Sequence, residues 1–561
     1  MATYYWVGGN GTWDNATKTN WATVSGGAGG NGPPTNADTV NFDANSGTAA
    51  VVTVAATAVS LSTTVNKSDI NLSLSGSPTL CTAAGTLVLT AGTITLNSYT
   101  LTCGIFSSSN SNARTIDFGT GQITLTGNAA TVWNINTATG LVTSGTKKVV
   151  SSYSGATGTR ILYMVGAETV VVDFFVTSGT DTVQLIAGGG AAYRTVDYTG
   201  FSGTATSSSA SNINIFGDLL ISSGCTWNTT AQFTFAATSG TKQITTNGKT
   251  VGQNVIFNGV GGTWQLQDNF TSNTTNFVTF TNGTLDLSLG KTLTCGTFAS
   301  TNSNSRSILF GSSGAITVKG SGTVWNTATP TNFSYTGTST INISNNSATA
   351  ATVSTGAMTA AQALNFNYTV GTYVLTDSNA VYNSVSFTGF TGTVPNSTRT
   401  IYGNLTLAAG ATNSAGTNVT TFATTSGTQQ ITTNGVTTDY PLTFNGIGGT
   451  FAFQDALTQG STRAFTITNG TVQLKNGVTS TVGALATSGT NQKVLQSTSA
   501  GSQATLSQAS GNFNAQYLTV KDIAATGGAK FNALNNCITQ GNNSGWYFAP
   551  QLGRPLPAFA F

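Results

Sequence analysis

The chain has 561 residues, of which only 6% are charged, and its 19 basic and 16 acidic side chains give a net charge of +3. So weak and dispersed a charge argues against a nucleic-acid-binding surface, and frequent β-branched and aromatic residues argue against disorder. There is no histidine, so serine and cysteine nucleophiles would lack their usual base.

The first 50 residues are rich in tryptophan and glycine and are predicted to form a hydrophobic cap. The tryptophans recur at spacings of seven and eight residues, at Trp6, Trp13 and Trp21. Such a cap would cover the end of a stacked structure, which cannot leave its core open to water.

Three aspartates accompany these tryptophans, namely Asp14, Asp38 and Asp43. Carboxylate oxygens suit calcium, so a calcium site is the alternative to a purely structural role. Because their spacing matches no known calcium loop, the sequence predicts that the protein holds no metal and no cofactor.

From about residue 51 onward, apolar and polar residues alternate with a period of two, which indicates strands with one buried face. The stretch "QITLTG" places Ile123 and Leu125 on one face, and "TLDLSLG" places Leu285, Leu287 and Leu289 on one face. The runs end in Gly, Asn or Ser, and proline, which cannot donate to a sheet ladder, is scarce. Helical periodicity is almost absent, so the sequence predicts an all-β protein.

Long phrases recur at a nearly constant distance along the chain. "TLTCGIFSSSNSNARTIDFG" at Thr100 returns as "TLTCGTFASTNSNSRSILFG" at Thr292, and "SGTKQITTNG" at Ser239 returns as "SGTQQITTNG" at Ser426. A unit of nearly 190 residues is too long for one solenoid coil, so each unit is expected to contain several coils. Successive coils would pair in parallel about 4.8 Å apart, about 20–25 coils in all.

The predicted fold is therefore a long parallel β-solenoid with terminal caps and two tandem modules. Its segments are an N-terminal cap with the first coils (1–85), module 1 (86–275), module 2 (277–465), C-terminal coils with a cap containing Trp546 (466–549), and a Pro-rich tail (550–561).

Several large or sulfur-containing residues occupy equivalent positions in the two modules and are predicted to lie in the core. They are Trp133 and Trp325, Trp264 and Phe451, and Cys103 and Cys295. Because Trp264 corresponds to Phe451, these aromatic residues are expected to pack in the core and not to form a platform on which a sugar stacks. The cysteines, five in total, are predicted to be buried free thiols. The Asn-rich turns are expected to form asparagine ladders or turn caps.

The acidic residues do not indicate catalysis. Glycoside hydrolysis needs two carboxylates about 5–9.5 Å apart, and Asp173 and Asp181 are the nearest pair outside the ends. Asp286 corresponds to Gln473, so this acidic residue does not recur. Asp268 and Asp455 do correspond, but a repeated aspartate at a turn is expected to cap backbone groups. The sequence predicts that the protein is not an enzyme.

Two parts of the sequence resemble known classes of surface protein. The opening "YYWVGGNGTWDNATKTNW", with the later "NADTVNFD", is similar to autotransporter-type adhesin repeats. The Ser-, Thr-, Gly- and Asn-rich modules and the ending "YLTVKDIAATGGAKFNALNNC" resemble phage-encoded β-helical structural proteins. The resemblance implies a structural component of a phage virion, such as a tail fibre, spike or other appendage, that contacts host-surface glycans.

The implied partners are other virion proteins or further copies of the chain, including a homotrimer, and the implied location is the virion surface. The alternative is a secreted or cell-surface bacterial β-helical adhesin or extracellular filament protein, and a third candidate is a glycan-depolymerising tailspike. The start "MATYYWVGG" lacks the pattern of a secretory signal, which favours the phage interpretation. No window of 18 apolar residues exists, so membrane insertion is not expected.

The tail 550–561 gives a first prediction. Its prolines cannot continue a strand ladder, and Phe559 and Phe561 would each cost about 1.5–3 kcal/mol if left in water. We expect it to dock, either over the last coil or into a neighbouring subunit. Deleting 550–561 should then lower the melting temperature and expose Trp546, or leave the monomer intact and abolish its assembly. A deletion that alters neither stability nor assembly would contradict docking.

Overall fold

The computed structural model describes residues 1–128, 131–346, 349–377 and 379–549, so the Pro-rich tail lies outside the described residues. Within these ranges all 58 regular elements are strands, which confirms the all-β prediction. The chain divides into two compact units, of which the first ends at Leu293 and the second begins at Thr294. The strand Thr292–Cys295 contains this boundary.

The first unit contains short strands separated by turns. Its strands are Thr3–Trp6, Gly11–Trp13, Trp21–Ala22, Thr39–Phe42, Val51–Val54, Ser62–Leu74, Thr86–Thr95, Thr100–Cys103, Ile105–Ser107, Arg114–Asp117, Gln122–Leu125, Thr131–Ile135, Leu141–Ser144, Lys148–Ser151, Thr159–Met164, Asp173–Val176, Thr182–Leu185, Ala192–Tyr193, Val196–Asp197, Thr204–Ser207, Asn212–Ile215, Leu219–Leu220, Thr226–Asn228, Gln232–Phe235, Thr241–Thr245, Thr250–Val251, Val255–Leu266, Phe270–Ser272 and Phe277–Asp286.

The second unit is built in the same way. Its strands are Thr297–Ala299, Arg306–Gly311, Ala315–Val318, Gly322–Asn326, Phe333–Gly337, Ile341–Ile343, Ala351–Ser354, Leu364–Tyr368, Leu375–Asp377, Ala380–Ser386, Thr393–Val394, Arg399–Ile401, Leu405–Thr406, Thr412–Asn413, Thr420–Phe422, Thr428–Thr432, Leu442–Phe453, Ala464–Leu474, Thr479–Thr481, Ala484–Thr487, Lys493–Ser497, Ala504–Gln508, Asn512–Gln516, Leu518–Lys521, Ile523–Gly527, Lys530–Asn535, Ile538–Thr539 and Trp546–Phe548.

Each unit is a parallel β-solenoid in which a strand pairs with its counterparts on the preceding and following turns. Gln122–Leu125, for example, pairs in parallel with Thr100–Cys103 before it and with Lys148–Ser151 after it. The N-terminal pair of Thr3–Trp6 with Trp21–Ala22 is antiparallel. The two units together contain about 22 turns, and this confirms the predicted solenoid. The division into two modules stays a prediction.

The core follows the alternation of apolar residues seen in the sequence. Ile123 and Leu125 are fully buried, as are Leu285 and Leu287. The expectation for Leu289 is wrong, because its side chain is 49% exposed. The strand ends at Asp286, and the chain then enters a turn in which Gly290 N–H donates to the carbonyl of Leu287 at 3.0 Å, so the two-residue period no longer applies.

The N-terminal tryptophans form one buried cluster. The side chains of Trp6, Trp13 and Trp21 are fully buried, and Trp21 makes edge-to-face contacts with Trp6 at 5.0 Å and with Trp13 at 5.4 Å between ring centroids. Phe42, from the first solenoid turn, packs 5.8 Å from Trp6 and 5.7 Å from Trp13. This apolar cluster covers the start of the core.

At the other end Trp546 packs less deeply. Its ring lies 5.4 Å from Phe531 and 6.0 Å from Phe513, and its side chain is of intermediate exposure. The last strand, Trp546–Phe548, pairs in parallel with Lys530–Asn535. The aromatic cluster at this end is therefore more open to solvent than the N-terminal cluster.

Equivalent tryptophans make the same stacking contact in the two units. Trp133 stacks on Phe106 at 4.6 Å, and Trp325 stacks on Phe298 at 4.7 Å, each on the neighbouring turn. Trp264 is also fully buried, as is Phe451 at the equivalent position. Aromatic stacking between successive turns is thus a repeated feature of the core.

Two equivalent arginines are buried with no carboxylate partner among the described residues. Arg114 is 2% exposed, and its guanidinium donates to the carbonyls of Ser108, Asn112, Thr137 and Thr139. Burial lowers the pKa of Arg114, while these carbonyl oxygens satisfy its donors.

The equivalent Arg306 is 1% exposed and makes the corresponding set of contacts. It donates to the carbonyls of Ser300, Asn304, Thr329 and Thr331, each of which lies 192 positions after its counterpart at Arg114. The repeated phrase, "SNSNAR" ending at Arg114 and "TNSNSR" ending at Arg306, therefore specifies a buried guanidinium that ties successive turns together.

Each copy of the recurrent "QITTNG" phrase contains a threonine whose backbone N–H is capped by an aspartate on the next turn. In the first copy Asp268 accepts a hydrogen bond from Thr246 N–H at 2.9 Å, and in the second Asp455 accepts one from Thr433 N–H at the same distance. In both pairs the aspartate lies 22 residues after the threonine, one turn further along. The two aspartates cap backbone groups between turns, as the sequence predicts.

The cysteines Cys81, Cys103, Cys225, Cys295 and Cys537 are all buried. Burial raises the pKa of Cys81 to about 11 and that of Cys103 well above its usual value. These thiols are protonated at neutral pH and behave as small core side chains.

The corner glycines of the phrase "FNGVGG" generate a prediction. A Cβ atom on Gly259 would lie 1.9 Å from the carbonyl oxygen of Ala237, whereas one on Gly252 would meet nothing within 4 Å. Gly259→Ala should lower the free energy of unfolding by at least about 2 kcal/mol in denaturant titration, because backbone must move. The control Gly252→Ala should change it by less than about 1 kcal/mol. Equal effects would contradict the close packing of turns.

Candidate ligand-binding grooves

A polar groove of about 280 Å³ lies on the first unit, where four successive turns present their outer faces. We call it the first groove; it is lined by Asp173, Arg194, Thr195, Gly217, Asp218, Thr241 and Lys242. In a chain with so few charges, four ionisable side chains in one groove form an unusual concentration. The in-register stacking of turns brings them together, because equivalent positions on adjacent turns lie about 4.8 Å apart.

One side of the first groove is an ion pair. Arg194 Nε donates to Asp173 Oδ1 at 2.7 Å, and Nη2 donates to Oδ2 of the same carboxylate and to the carbonyl of Thr146. Thr195 N–H donates to Asp173 Oδ1 at 2.9 Å. The hydrogen bonds to Asp173 raise the pKa of Arg194. The pair is partly exposed, with 30% of the arginine side chain and 12% of the aspartate side chain accessible.

The other side carries two charges that are not paired with each other. Asp218 N–H donates to Thr195 Oγ1 at 3.3 Å, and Asp218 Oδ1 accepts from Gln243 N–H at 2.7 Å. Within the described part of the chain Lys242 forms no ion pair. The first groove therefore offers two charged groups. One is the ammonium of Lys242, which forms no ion pair with a described residue, and the other is the carboxylate of Asp218, whose Oδ1 accepts the hydrogen bond from Gln243.

Further charged residues surround this groove. Lys147 Nζ donates to the carbonyl of Thr169, and burial, together with the nearby Arg194, lowers the pKa of Lys147. Glu168, the single glutamate of the chain, accepts hydrogen bonds from Thr238 Oγ1 at 2.6 Å and from its N–H at 3.2 Å. This contact connects two turns beside the groove.

A second groove of about 420 Å³ lies on the second unit. It is lined by Ala360, Asn383, Ser384, Tyr402, Gly403, Asn404, Ala423, Thr424, Thr425, Ser426 and Gln429. None of these lining residues is charged, and Tyr402 contributes an aromatic ring of intermediate exposure.

The hydrogen bonds of the second groove repeat those of the first. Asn383 Nδ2 donates to Asn365 Oδ1 at 2.8 Å, and Ser384 N–H donates to the same oxygen at 3.1 Å. Asn404 N–H donates to Ser384 Oγ at 2.9 Å, and Asn404 Oδ1 accepts from Gln430 N–H at 2.8 Å. The backbone arrangement that holds the first groove is therefore present again.

Sequence alignment of the two copies accounts for this likeness. "AYRTVDYTGF" at Ala192 aligns with "VYNSVSFTGF" at Val381, and "IFGDLL" at Ile215 aligns with "IYGNLT" at Ile401. Every charged residue in or beside the first groove has an uncharged counterpart at the second: Lys147 and Ser339, Lys148 and Thr340, Glu168 and Ala360, Asp173 and Asn365, Arg194 and Asn383, Asp218 and Asn404, and Lys242 and Gln429.

The two grooves also differ at the positions of Glu168 and Thr238. Glu168 bonds to Thr238 beside the first groove, whereas the counterparts Ala360 and Thr425 both line the second. Alanine has no carboxylate to reach the threonine, so the contact between Glu168 and Thr238 has no equivalent at the second groove.

The residues singled out from the sequence lie elsewhere. Trp133, Trp325 and Trp264 are fully buried in the core and contribute to neither groove, and the same holds for Phe451 and Cys103. Sequence reasoning missed the grooves because it treated the lack of recurring acidic residues as a lack of function. The signal that could have located the grooves was the replacement of charged side chains by amides at aligned positions of the two copies.

The aspartates near the N-terminus bind the chain itself. Asp14 accepts hydrogen bonds from the N–H groups of Ala16 and Thr17, and Asp38 accepts them from Ala2 and Thr35. Among the residues that the structure describes, no group of three or more Cys, Asp or Glu side chains is placed to hold a metal ion.

The fold and the grooves define a β-solenoid repeat protein with a duplicated surface site. The chain matches no known family model, no curated protein and no solved structure. Over the described residues, no helix with the length and apolar character of a membrane span is present.

The aspartate caps near the N-terminus give a prediction of pH dependence. Burial raises the pKa of Asp38, but its hydrogen bonds from Thr35 and Ala2 outweigh this and hold the pKa below the ordinary 3.8. Asp14 is shifted in the same direction. Their stabilisation is present above pH about 4 and is lost as the pH falls through the lowered pKa values.

The melting temperature of the wild type should therefore fall on acidification below pH about 4, and it should fall less in the double variant Asp14→Asn, Asp38→Asn. Thermal unfolding followed by tryptophan fluorescence measures this. Parallel curves for the two proteins would show that the caps contribute nothing to acid sensitivity.

Proposed function

We propose that the protein is a structural surface component of a phage virion, such as a tail fibre, spike or other appendage, and that it attaches to host-surface glycans. The observation that carries the attachment role is the second groove, an uncharged cleft lined by side-chain amides and by Tyr402. The resemblance of the sequence to phage β-helical proteins supports the virion role.

The chemistry of the second groove suits a neutral sugar. Asn383, Asn404 and Gln429 present amide groups, each of which both donates and accepts and so matches the paired hydroxyls of a pyranose. The side-chain oxygen of Gln429 is buried and accepts no hydrogen bond from the described residues, so a ligand hydroxyl would satisfy it only after the side chain turned to expose that oxygen. The ring of Tyr402 offers an apolar face for the sugar C–H groups.

The scaffold also suits attachment. Parallel stacking satisfies the backbone groups of each strand on both sides, and the N-terminal aromatic cluster covers the start of the core. A surface of hydroxyls and amides with few charges permits many weak contacts, which gain strength when several copies act together. Copies of the chain, for example in a trimer, or other virion proteins would be the partners.

The alternative is a secreted or cell-surface bacterial adhesin or filament protein with the same groove. Tail or capsid genes beside the coding gene would favour the virion, whereas an export signal in the genomic reading frame would favour the adhesin.

A depolymerase is less well supported. The carboxylate of Asp181 is fully buried and receives two hydrogen bonds from Arg160, at 2.7 and 2.9 Å, while Asp173 is paired with Arg194. Each of the two aspartates is therefore engaged by its own arginine. A reducing-sugar assay on host capsule would detect hydrolysis.

The attachment role predicts that Tyr402→Ala weakens binding to host cells or purified host glycan about tenfold, through loss of about 1.4 kcal/mol of ring contact. The control is Tyr547→Ala, since Tyr547 is 59% exposed and lies outside both grooves. Surface plasmon resonance on immobilised glycan measures the affinities, and circular dichroism checks the fold. Equal binding by wild type and Tyr402→Ala would refute the assignment of the groove.

A further inference from the structure

We infer that the two grooves have diverged in ligand class: the first groove binds a saccharide that carries a carboxylate, whereas the second binds a neutral saccharide. This inference rests on the proposed glycan attachment and specifies which sugar each copy recognises. It comes from the exchange of charged and uncharged residues on a shared backbone.

The shared backbone makes the comparison between the two grooves direct. Asp218 and Asn404 each accept a backbone N–H, at 2.7 and 2.8 Å, and each donates its own N–H to the hydroxyl of Thr195 or Ser384. Because these bonds are the same, replacement of aspartate by asparagine alters the charge of the groove and leaves its frame intact. Structural requirements alone therefore do not explain why one copy retains the charges.

The cationic side of the first groove fits a carboxylate. Lys242 forms no ion pair within the described part of the chain, and Arg194 directs Nε and Nη2 to its partners while Nη1 has no hydrogen bond to a described residue. These two groups can donate charge-assisted hydrogen bonds, which are about twice as strong as those between neutral groups. At the second groove Gln429 and Asn383 provide only neutral donors.

The anionic residues orient the ligand in the first groove. Asp218 would repel a carboxylate but accept hydrogen bonds from sugar hydroxyls, so the acid group would lie towards Lys242 and the hydroxyls towards Asp218. The first groove has a volume of about 280 Å³, against about 420 Å³ for the second groove. The smaller volume favours a single terminal sugar residue over a longer stretch of chain.

The two copies supply matched variants for the test. Lys242→Gln places in the first groove the residue that the second already holds, and Gln429→Lys does the reverse. Each substitution introduces the side chain that the same backbone accommodates in the other copy, so both variants should fold. Circular dichroism and melting temperatures check this.

Titration calorimetry and saturation-transfer NMR would compare glucuronic, galacturonic and N-acetylneuraminic acids with their methyl esters, which differ from them in charge. We expect at least one acid to bind the wild type about tenfold more tightly than its ester, and this preference to weaken with added salt. Lys242→Gln should abolish the preference, and Gln429→Lys should create a second site that prefers the acid.

The outcomes separate this inference from the proposed function. If none of the acids binds better than its ester, or if Lys242→Gln leaves the preference unchanged, the divergence in ligand class is refuted. Binding of neutral glycan that depends on Tyr402 would then still support attachment. Loss of the acid preference in Lys242→Gln, with neutral binding unchanged, would establish the division of ligands between the two grooves.

Discussion

The parallel, in-register ladder between successive turns is the interaction on which the other features depend. It satisfies backbone donors and acceptors on both sides of each strand, and it places equivalent positions of adjacent turns directly above one another. Identical side chains on adjacent turns can then form hydrogen bonds with one another along the stack. In the second unit Asn469 donates to Asn445 at 2.7 Å and receives a hydrogen bond from Asn491 at 2.8 Å, forming an asparagine ladder.

The ladder also explains how one part of a repeat can change while the rest is retained. Some positions whose side chains serve the stack are kept in both copies, as with the buried Arg114 and Arg306 and their carbonyl acceptors. Side chains on the outer face are not needed to hold successive turns together, because the backbone hydrogen bonds already do so. Charge can be gained or lost there at little cost to folding, and the two grooves differ only in this outer layer.

Local sequence rules were sufficient to predict the fold, but they did not predict burial correctly at every turn. Alternation located the buried residues wherever a strand continued, and it failed at Leu289, where the strand had already ended at Asp286. The Asn-rich turns behave as turn caps, since Asn110 Oδ1 accepts from Asn112 N–H at 2.9 Å.

The sequence by itself determined the class of fold, the near-190-residue recurrence and the identity of the core residues, because alternation and repetition are local properties of the chain. It also contained the exchange of Asp218 for Asn404 and of Lys242 for Gln429. Only the tertiary structure decided that these positions converge, since turns of unequal length set which residues on neighbouring turns are adjacent. Residues about 70 positions apart, such as Glu168 and Thr238, come into contact only when the turns stack.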